Sequence, residues 1–374
     1  MKNYCPNSDQ GLMINPNGDI SPCCLIQDIP KFNIQAEGLE KYHDSDWYKD
    51  FIKSHHNDER HPACERCWLQ EDKGIKSKRQ LDIGSLAKGF SYETGRGLPK
   101  KNIEMTFGNL CNLACRICFP GYSSKWASEK GKLDDEKYPV YVWHRDRALM
   151  NKIKKMAMSA ERITIVGGEP FLTEIPEHED FLNFFVDTDQ ARNVTLHYVT
   201  NGTTFPSESM LMLFKKFKSI EIQMSIDGTG AHFEYNRWPG KWQEVYQHIK
   251  KYQSLTEETD NVTISISHTI SAFTIYYVEE FVLWCLKEKL PFPYFNQLLN
   301  SIHNRASVFG PRTKDIIRKK LLASKSKQIM NLVSWLDLSD DSEHFGKFEE
   351  QIKLYDRVRG QNFSKTFPEL HKIL

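Results

Sequence analysis

The chain has 374 residues, 40% hydrophobic and 26% charged, with 50 Lys and Arg against 49 Asp and Glu for a net charge of +1. That length suggests two or three domains with an ample core. The balanced charge excludes a global electrostatic footprint for nucleic acid or an anionic membrane.

The opening Met-Lys-Asn-Tyr-Cys-Pro has no apolar signal core, and no run approaches the roughly 18 apolar residues of a membrane span. A cytoplasmic protein is expected. Nine cysteines are too sparse for a disulfide scaffold, and eight of them fall within the first 118 residues. Such clustering favours metal binding. Cys285, alone in Phe281-Val-Leu-Trp-Cys-Leu286, reads as a small buried hydrophobe.

In chain order, Cys5 is followed by Gly11 to Cys23, which reads as a hairpin around a Pro-Asn-Gly turn returning Cys23 towards Cys5. Cys64 and Cys67 then complete a set of four thiols. Cys24 is left over as a spare ligand, a reactive thiol or, most commonly for such a residue, a packed one. The basic stretch Gly74 to Gln80 reads as a solvated face, and Gly95 and Gly97 mark a linker.

From residue 101, strand-like runs (102–107, 162–166, 193–199, 219–226, 262–270, 292–295) alternate with helical patterns (146–158, 179–186, 207–217, 242–252, 277–288). Six such units argue for parallel β/α architecture with right-handed crossovers. Periodicity leaves open sheet and barrel undistinguished. Further helices are expected at 312–323, 327–336 and 343–359.

After the first of these strands, Cys111, Cys115 and Cys118 stand at C-x3-C-x2-C spacing. One short loop can wrap three soft thiolates around a single inorganic centre. Closed zinc sites usually take four ligands, so three local thiols fit zinc poorly without excluding it. Ligands of parallel α/β folds sit at strand carboxyl ends. There lie Gly167-Gly168-Glu169-Pro170, Asn201 before Gly202, Ser225 and Asp227 before Gly228, and beyond them Arg237. Two glycines admit a close ligand, a carboxylate accepts from an ammonium group, and a guanidinium matches a carboxylate. Asn-Gly and Asp-Gly are also ordinary turns. His268, Tyr294, Asn296 and Gln297 are candidates for a substrate-facing surface.

The C-x3-C-x2-C loop resembles the hallmark of the radical S-adenosylmethionine (SAM) enzymes, and Gly167-Gly168-Glu169 resembles their motif for the SAM amino group. Cys5, Gly18, Cys23 and the Cys64-x2-Cys67 pair resemble a twitch domain, the short form of the SPASM auxiliary-cluster domain. Here it precedes the core, whereas it follows the core in better-known members. The tail Tyr355 to Leu370 resembles the end of other twitch-containing members.

The resemblance implies an α/β fold: a partial (β/α)6 TIM-like barrel at 96–300, a small cysteine-rich auxiliary domain with linker at 1–95, and a helical extension at 301–374. It implies a [4Fe-4S] cluster on Cys111, Cys115 and Cys118, an auxiliary iron-sulfur cluster, expected to be [4Fe-4S], on Cys5, Cys23, Cys64 and Cys67, and SAM. SAM contacts would come from Gly167, Gly168, Glu169, Asn201, Ser225, Asp227 and Arg237.

Cleavage of SAM would yield a 5′-deoxyadenosyl radical that abstracts hydrogen from a substrate. Implied partners are a flavodoxin- or ferredoxin-type donor of low potential and a peptide or peptide-like substrate undergoing oxidation. A sugar or nucleotide metabolite is the alternative substrate. A non-catalytic zinc or iron-sulfur regulatory protein is the alternative class.

Overall fold

The computed structural model describes residues 2–26, 29–86, 100–337 and 339–374, with the side chains of 85 and 86 left undescribed. The chain divides into two compact units, Met1–Leu110 with Pro139–Val199 and Pro206–Glu221, and Cys111–Tyr138 with Thr200–Phe205 and Ile222–Leu374. These units cut across the boundaries expected near residues 95 and 300. The linker at Gly95 and Gly97 lies outside the described residues.

In the first unit, β1 (Gly11–Ile14) and β2 (Ile20–Ser21) form the expected hairpin, with Met13 opposite Ser21 and Ile14 opposite Ile20. Gly18 closes its turn at φ 85°, where a side chain would be strained. β1 also pairs parallel to β3 (Asn102–Met105), Leu12 opposite Ile103. The cysteine-bearing hairpin is therefore part of a sheet that continues in parallel through β4 (Arg162–Ile165) and β5 (Thr195–Thr200).

Alternation decides which face is covered. Ile103, Met105, Ile163, Ile165, Leu196 and Tyr198 are fully buried, each contributing about 1.5–3 kcal/mol. Glu104, Thr164 and His197 point the other way. Helix Pro176–Asp187 opens with a proline and buries Phe181, Leu182 and Phe185; proline suits a first turn, whose N–H groups have no acceptor within the helix.

β6 (Ser219–Ser225) begins in the first unit, where Ser219 Oγ lies 2.9 Å from Thr195 Oγ1. It ends in the second, where Ile226 N–H donates to Ser267 O at 2.9 Å. Ser267 belongs to β7 (Val262–Ile270), parallel to β8 (Tyr294–Gln297). Among the described residues eight strands form one mostly parallel sheet, consistent with an open α/β partial barrel.

The last strand was expected at 292–295. It starts two residues later because Pro291 and Pro293 have no N–H to give to a ladder. Helix Trp242–Glu258 runs past its expected end, and the single helix expected at 327–336 is two short ones, Lys327–Met330 and Val333–Leu336. Helix Phe345–Arg359 and the segments after it bury Phe348, Phe363, Phe367 and Leu370 in one core with Tyr235, Ile270, Phe273 and Ile275. No helix among the described residues is long and apolar enough to cross a membrane.

One buried histidine makes the fold acid-sensitive. His178 is 2% exposed, with Nδ1 3.0 Å from Pro170 O and Nε2 2.9 Å from Tyr198 Oη. Burial pushes its pKa down to about 4. The unfolded chain takes up this proton near pH 6.5 and the folded chain does not, so the contribution is complete above 6.5 and lost as pH falls towards 4. Between those values the denaturation free energy of the wild type should fall about 1.4 kcal/mol per pH unit more steeply than that of His178→Gln; equal slopes would contradict this.

Candidate functional site

The loop carrying Cys111, Cys115 and Cys118 lies in the second unit and is held by backbone and side chains alike. Ala114 N–H donates to Trp238 O at 2.6 Å, and Arg116 N–H to Asn236 O at 2.7 Å. Trp126 Nε1–H donates to Cys115 O at 2.6 Å, and Asn304 Nδ2–H to Arg116 O at 2.8 Å. Cys111 N–H donates to Ser124 Oγ at 3.1 Å.

Arg116 is the loop's anchor. Its Nη2 donates to Asp356 Oδ1 at 2.7 Å and Gln361 Oε1 at 2.8 Å, and its guanidinium lies 4.1 Å from the Tyr235 ring centroid. The expected extension at 301–374 thus reaches the cysteine loop through Asn304, Asp356 and Gln361.

Burial raises the Cys115 thiol, opposed by Arg237, and pushes Cys118 up to about 12, helped by Cys115. A neutral thiol is the stable form here unless a cation replaces its proton. Leu113 N–H points to Cys111 Sγ at 3.5 Å, and Asn201 Nδ2 lies 3.9 Å from the same sulfur.

Asn201, expected at SAM, also donates to Asn112 Oδ1 at 2.9 Å and accepts from Thr203 N–H at 2.8 Å, tying residues 200–205 to the loop. Asp227 and Arg237, expected at SAM separately, meet each other: Nη2 lies 2.7 Å from Oδ2, both side chains being buried. Asp227 Oδ1 accepts from Thr269 N–H at 2.9 Å. Ser225 ends β6 half-buried.

Gly167-Gly168-Glu169 follows β4 in the first unit. Gly168 has φ 56°, and a Cβ there would sit 2.2 Å from Leu110 O. Glu169 N–H donates to that same carbonyl at 2.8 Å. The turn is therefore locked to the residue that precedes Cys111. Glu169 is fully buried, with Oε1 accepting from Phe171 N–H at 3.2 Å. Gly168→Ala combines a clash with a left-handed backbone, so a loss of about 1–3 kcal/mol is expected in chemical denaturation. A loss below about 0.5 kcal/mol would show that the turn gives way freely.

The candidates expected on a substrate-facing surface divide. His268 is 1% exposed, stacks on Phe281 at 4.4 Å and has Nδ1 3.0 Å from Ile226 O. It is packed in the core, with Nε2 buried and without a hydrogen-bond partner among the described residues. Asn296 donates to Ser267 Oγ, Tyr294 is exposed and Gln297 half-buried.

The other four cysteines lie in the first unit and line one cavity together with Asn7, Ser8, Phe51 and Arg79. Cys5 is the N-cap of helix Pro6–Gln10, with no side-chain cap hydrogen bond. Leu25 N–H points to Cys23 Sγ at 3.5 Å, and the Arg79 N–H works against the burial that raises the Cys67 thiol. Burial pushes Cys64 up to about 12, with Cys67 adding to it, and raises Cys5 further. Backbone N–H groups aimed at sulfur favour thiolates once a metal compensates burial. The four thiols surround a space, and among the described residues no group of three or more His, Cys, Asp or Glu closes on a single ion.

Two readings of this region change. Arg79, expected on a solvated face, is 5% exposed and pairs with Glu71 at 2.5 Å. Cys24, for which a packed position is the commonest expectation, is exposed, whereas Cys285 is buried as expected. Sequence reasoning missed His55, whose Nε2 lies 3.6 Å from Cys64 Sγ. It also missed Asp356, Gln361 and Glu129, which no spacing rule connects to residues 111–118.

Residues 105–272 match the model of the Radical SAM superfamily, and residues 5–68 match that of an iron-sulfur cluster-binding domain, SPASM. Residues 105–272 thus carry a Radical SAM domain. More particularly, a SPASM-type domain precedes it in the chain. The core implies a [4Fe-4S] cluster and SAM, and the SPASM domain implies auxiliary iron-sulfur clusters.

No curated protein matches the sequence. Among solved structures, the chain is similar to polyhistidine-tagged anSMEcpe with bound AdoMet, at 20% identity and a TM-score of 0.44, over 59% of this chain and 57% of that one. It is also similar to Streptococcus suis SuiB bound to S-adenosylmethionine, at 11% identity and a TM-score of 0.35, over 96% of this chain and 73% of that one. The chain thus spans less than two thirds of the length of the first of these.

Proposed function

We propose that Cys111, Cys115 and Cys118 hold the [4Fe-4S] cluster at which SAM is cleaved, and that Cys5, Cys23, Cys64 and Cys67 hold the auxiliary cluster. The observation that carries this reading is two separate cysteine sets, one of three thiols on a braced loop and one of four lining a cavity. Three thiolates leave one iron of a cubane open to a ligand, and four leave none.

When bound, the cluster and SAM supply a one-electron cleavage to methionine and a 5′-deoxyadenosyl radical that takes hydrogen from a substrate. The chain's residues bind and orient. Gly167 and Gly168 bring backbone close to SAM, the buried Glu169 carboxylate receives its ammonium group, and Ser225 faces its ribose or methionyl part. Asn201 holds the cysteine loop, and Asp227 and Arg237 place charge beside it.

A four-thiolate auxiliary site suits removal of an electron from a substrate radical, and hence oxidation. The substrate class proposed is a peptide or peptide-like molecule, and the reductant a flavodoxin- or ferredoxin-type protein. The anaerobically reconstituted, dithionite-reduced protein should form 5′-deoxyadenosine from SAM, and Cys115→Ala should form none. Persistence of cleavage in Cys115→Ala would sink the assignment.

A further inference from the structure

Three buried arginine–carboxylate pairs surround the cysteine loop. Arg237 pairs with Asp227 at 2.7 Å, side chains 8% and 1% exposed. Arg359 embraces Glu129 through Nε at 2.8 Å and Nη2 at 2.7 Å, the two being 1% and 15% exposed. Arg116 pairs with Asp356 at 2.7 Å, 3% and 17% exposed.

Each arginine keeps one buried nitrogen without a partner: Nε of Arg237, Nη1 of Arg359 and Nε of Arg116. A buried unsatisfied donor costs about 1–3 kcal/mol, and each of these three would gain from a negative group; Asp227 Oδ2 is likewise buried without a hydrogen bond. The arginines also bear on the loop itself. Arg359 lies 5.3 Å from the ring centroid of Trp126, which donates to Cys115 O, and it stacks on Tyr355 at 4.6 Å. Arg237 lies between Asn236 and Trp238, whose carbonyls accept from Arg116 N–H at 2.7 Å and Ala114 N–H at 2.6 Å on the loop.

We infer that Arg237 and Arg359, each restrained by its carboxylate, set the reduction potential of the iron-sulfur group at Cys111, Cys115 and Cys118, which makes helix Phe345–Arg359 part of the redox site. This rests on the assignment of that loop under Proposed function. Reduction adds negative charge to a cluster, and net charge and hydrogen bonds to sulfur set its potential. A bare guanidinium would stabilise the reduced form and weaken it as a reductant of a sulfonium. The paired carboxylate cancels most of that field and leaves the N–H directed.

The test is a potentiometric titration of the anaerobically reconstituted full chain, read on the electron paramagnetic resonance signal that SAM alters. Glu129→Gln and Asp227→Asn should each shift the equilibrium towards the reduced form about tenfold, which is about 59 mV for one electron. Arg359→Gln should shift it the other way, and Arg359→Gln with Glu129→Gln should return it towards the wild type, a cancellation that a scaffold role would not produce. An unchanged potential in whichever of Glu129→Gln and Asp227→Asn keeps its cluster would overturn the inference. So would loss of the cluster in both, which would make the pairs scaffolding alone. A wild type with no SAM-responsive signal would instead refute the assignment of the loop.

Discussion

Asp356→Ala is expected to destabilise the protein by about 3–5 kcal/mol and to strip iron from the cysteine loop. The carboxylate accepts from Arg116 Nη2 at 2.7 Å, Tyr235 Oη at 2.8 Å and Phe363 N–H at 2.6 Å. Removing it leaves the Arg116 charge buried against Gln361 and the rings of Tyr235 and Tyr355, with no anion among its described partners, and breaking one side of a buried pair costs about that much. Arg116 lies between Cys115 and Cys118, so its loss of register moves two ligands together. Chemical denaturation and iron content measured on one preparation check both parts. A cost below about 1 kcal/mol would place the pair among weak surface contacts.

The second large effect belongs to the other cysteine set. Cys64→Ala should lose the auxiliary iron and its absorbance while the loop at 111–118 keeps its own and still cleaves SAM. Cys64 lines the cavity shared with Cys5, Cys23 and Cys67, and removing one of four thiolates opens a closed site. Product formation from a peptide should fail in this variant even where 5′-deoxyadenosine is made. If Cys64→Ala also abolished SAM cleavage, the two sites would not be separable in the way proposed.

Much of this was legible in the sequence for a definite reason. Cys111, Cys115 and Cys118 fall on one short loop, so spacing alone brings their sulfurs near one another. Gly168 reads as admitting a close ligand, and the fold shows a further demand on it, a left-handed backbone set against Leu110 O. The β1–β2 turn announced itself through Pro16, Asn17 and Gly18.

What escaped depends on contacts across long stretches of chain. Asp356 lies 240 residues from Arg116, and no local period reports such a pair. Asp227 and Arg237 were each read as groups for a ligand because a charged residue at a strand end has two uses, and only the fold shows that they pair. His268 alternates on β7 with Ser267 and Thr269, and a single residue's face is fixed by what covers it, here Phe281. Arg79 looked solvent-exposed in a basic run, yet Glu71 draws it inward beside Cys67.

The most direct test of the account is the electron paramagnetic resonance spectrum of the dithionite-reduced protein with and without SAM. The account predicts that SAM changes the spectrum of the wild type and of Cys64→Ala, and that Cys115→Ala shows no change. A wild-type spectrum indifferent to SAM would contradict the claim that Cys111, Cys115 and Cys118 hold a cluster with an open iron.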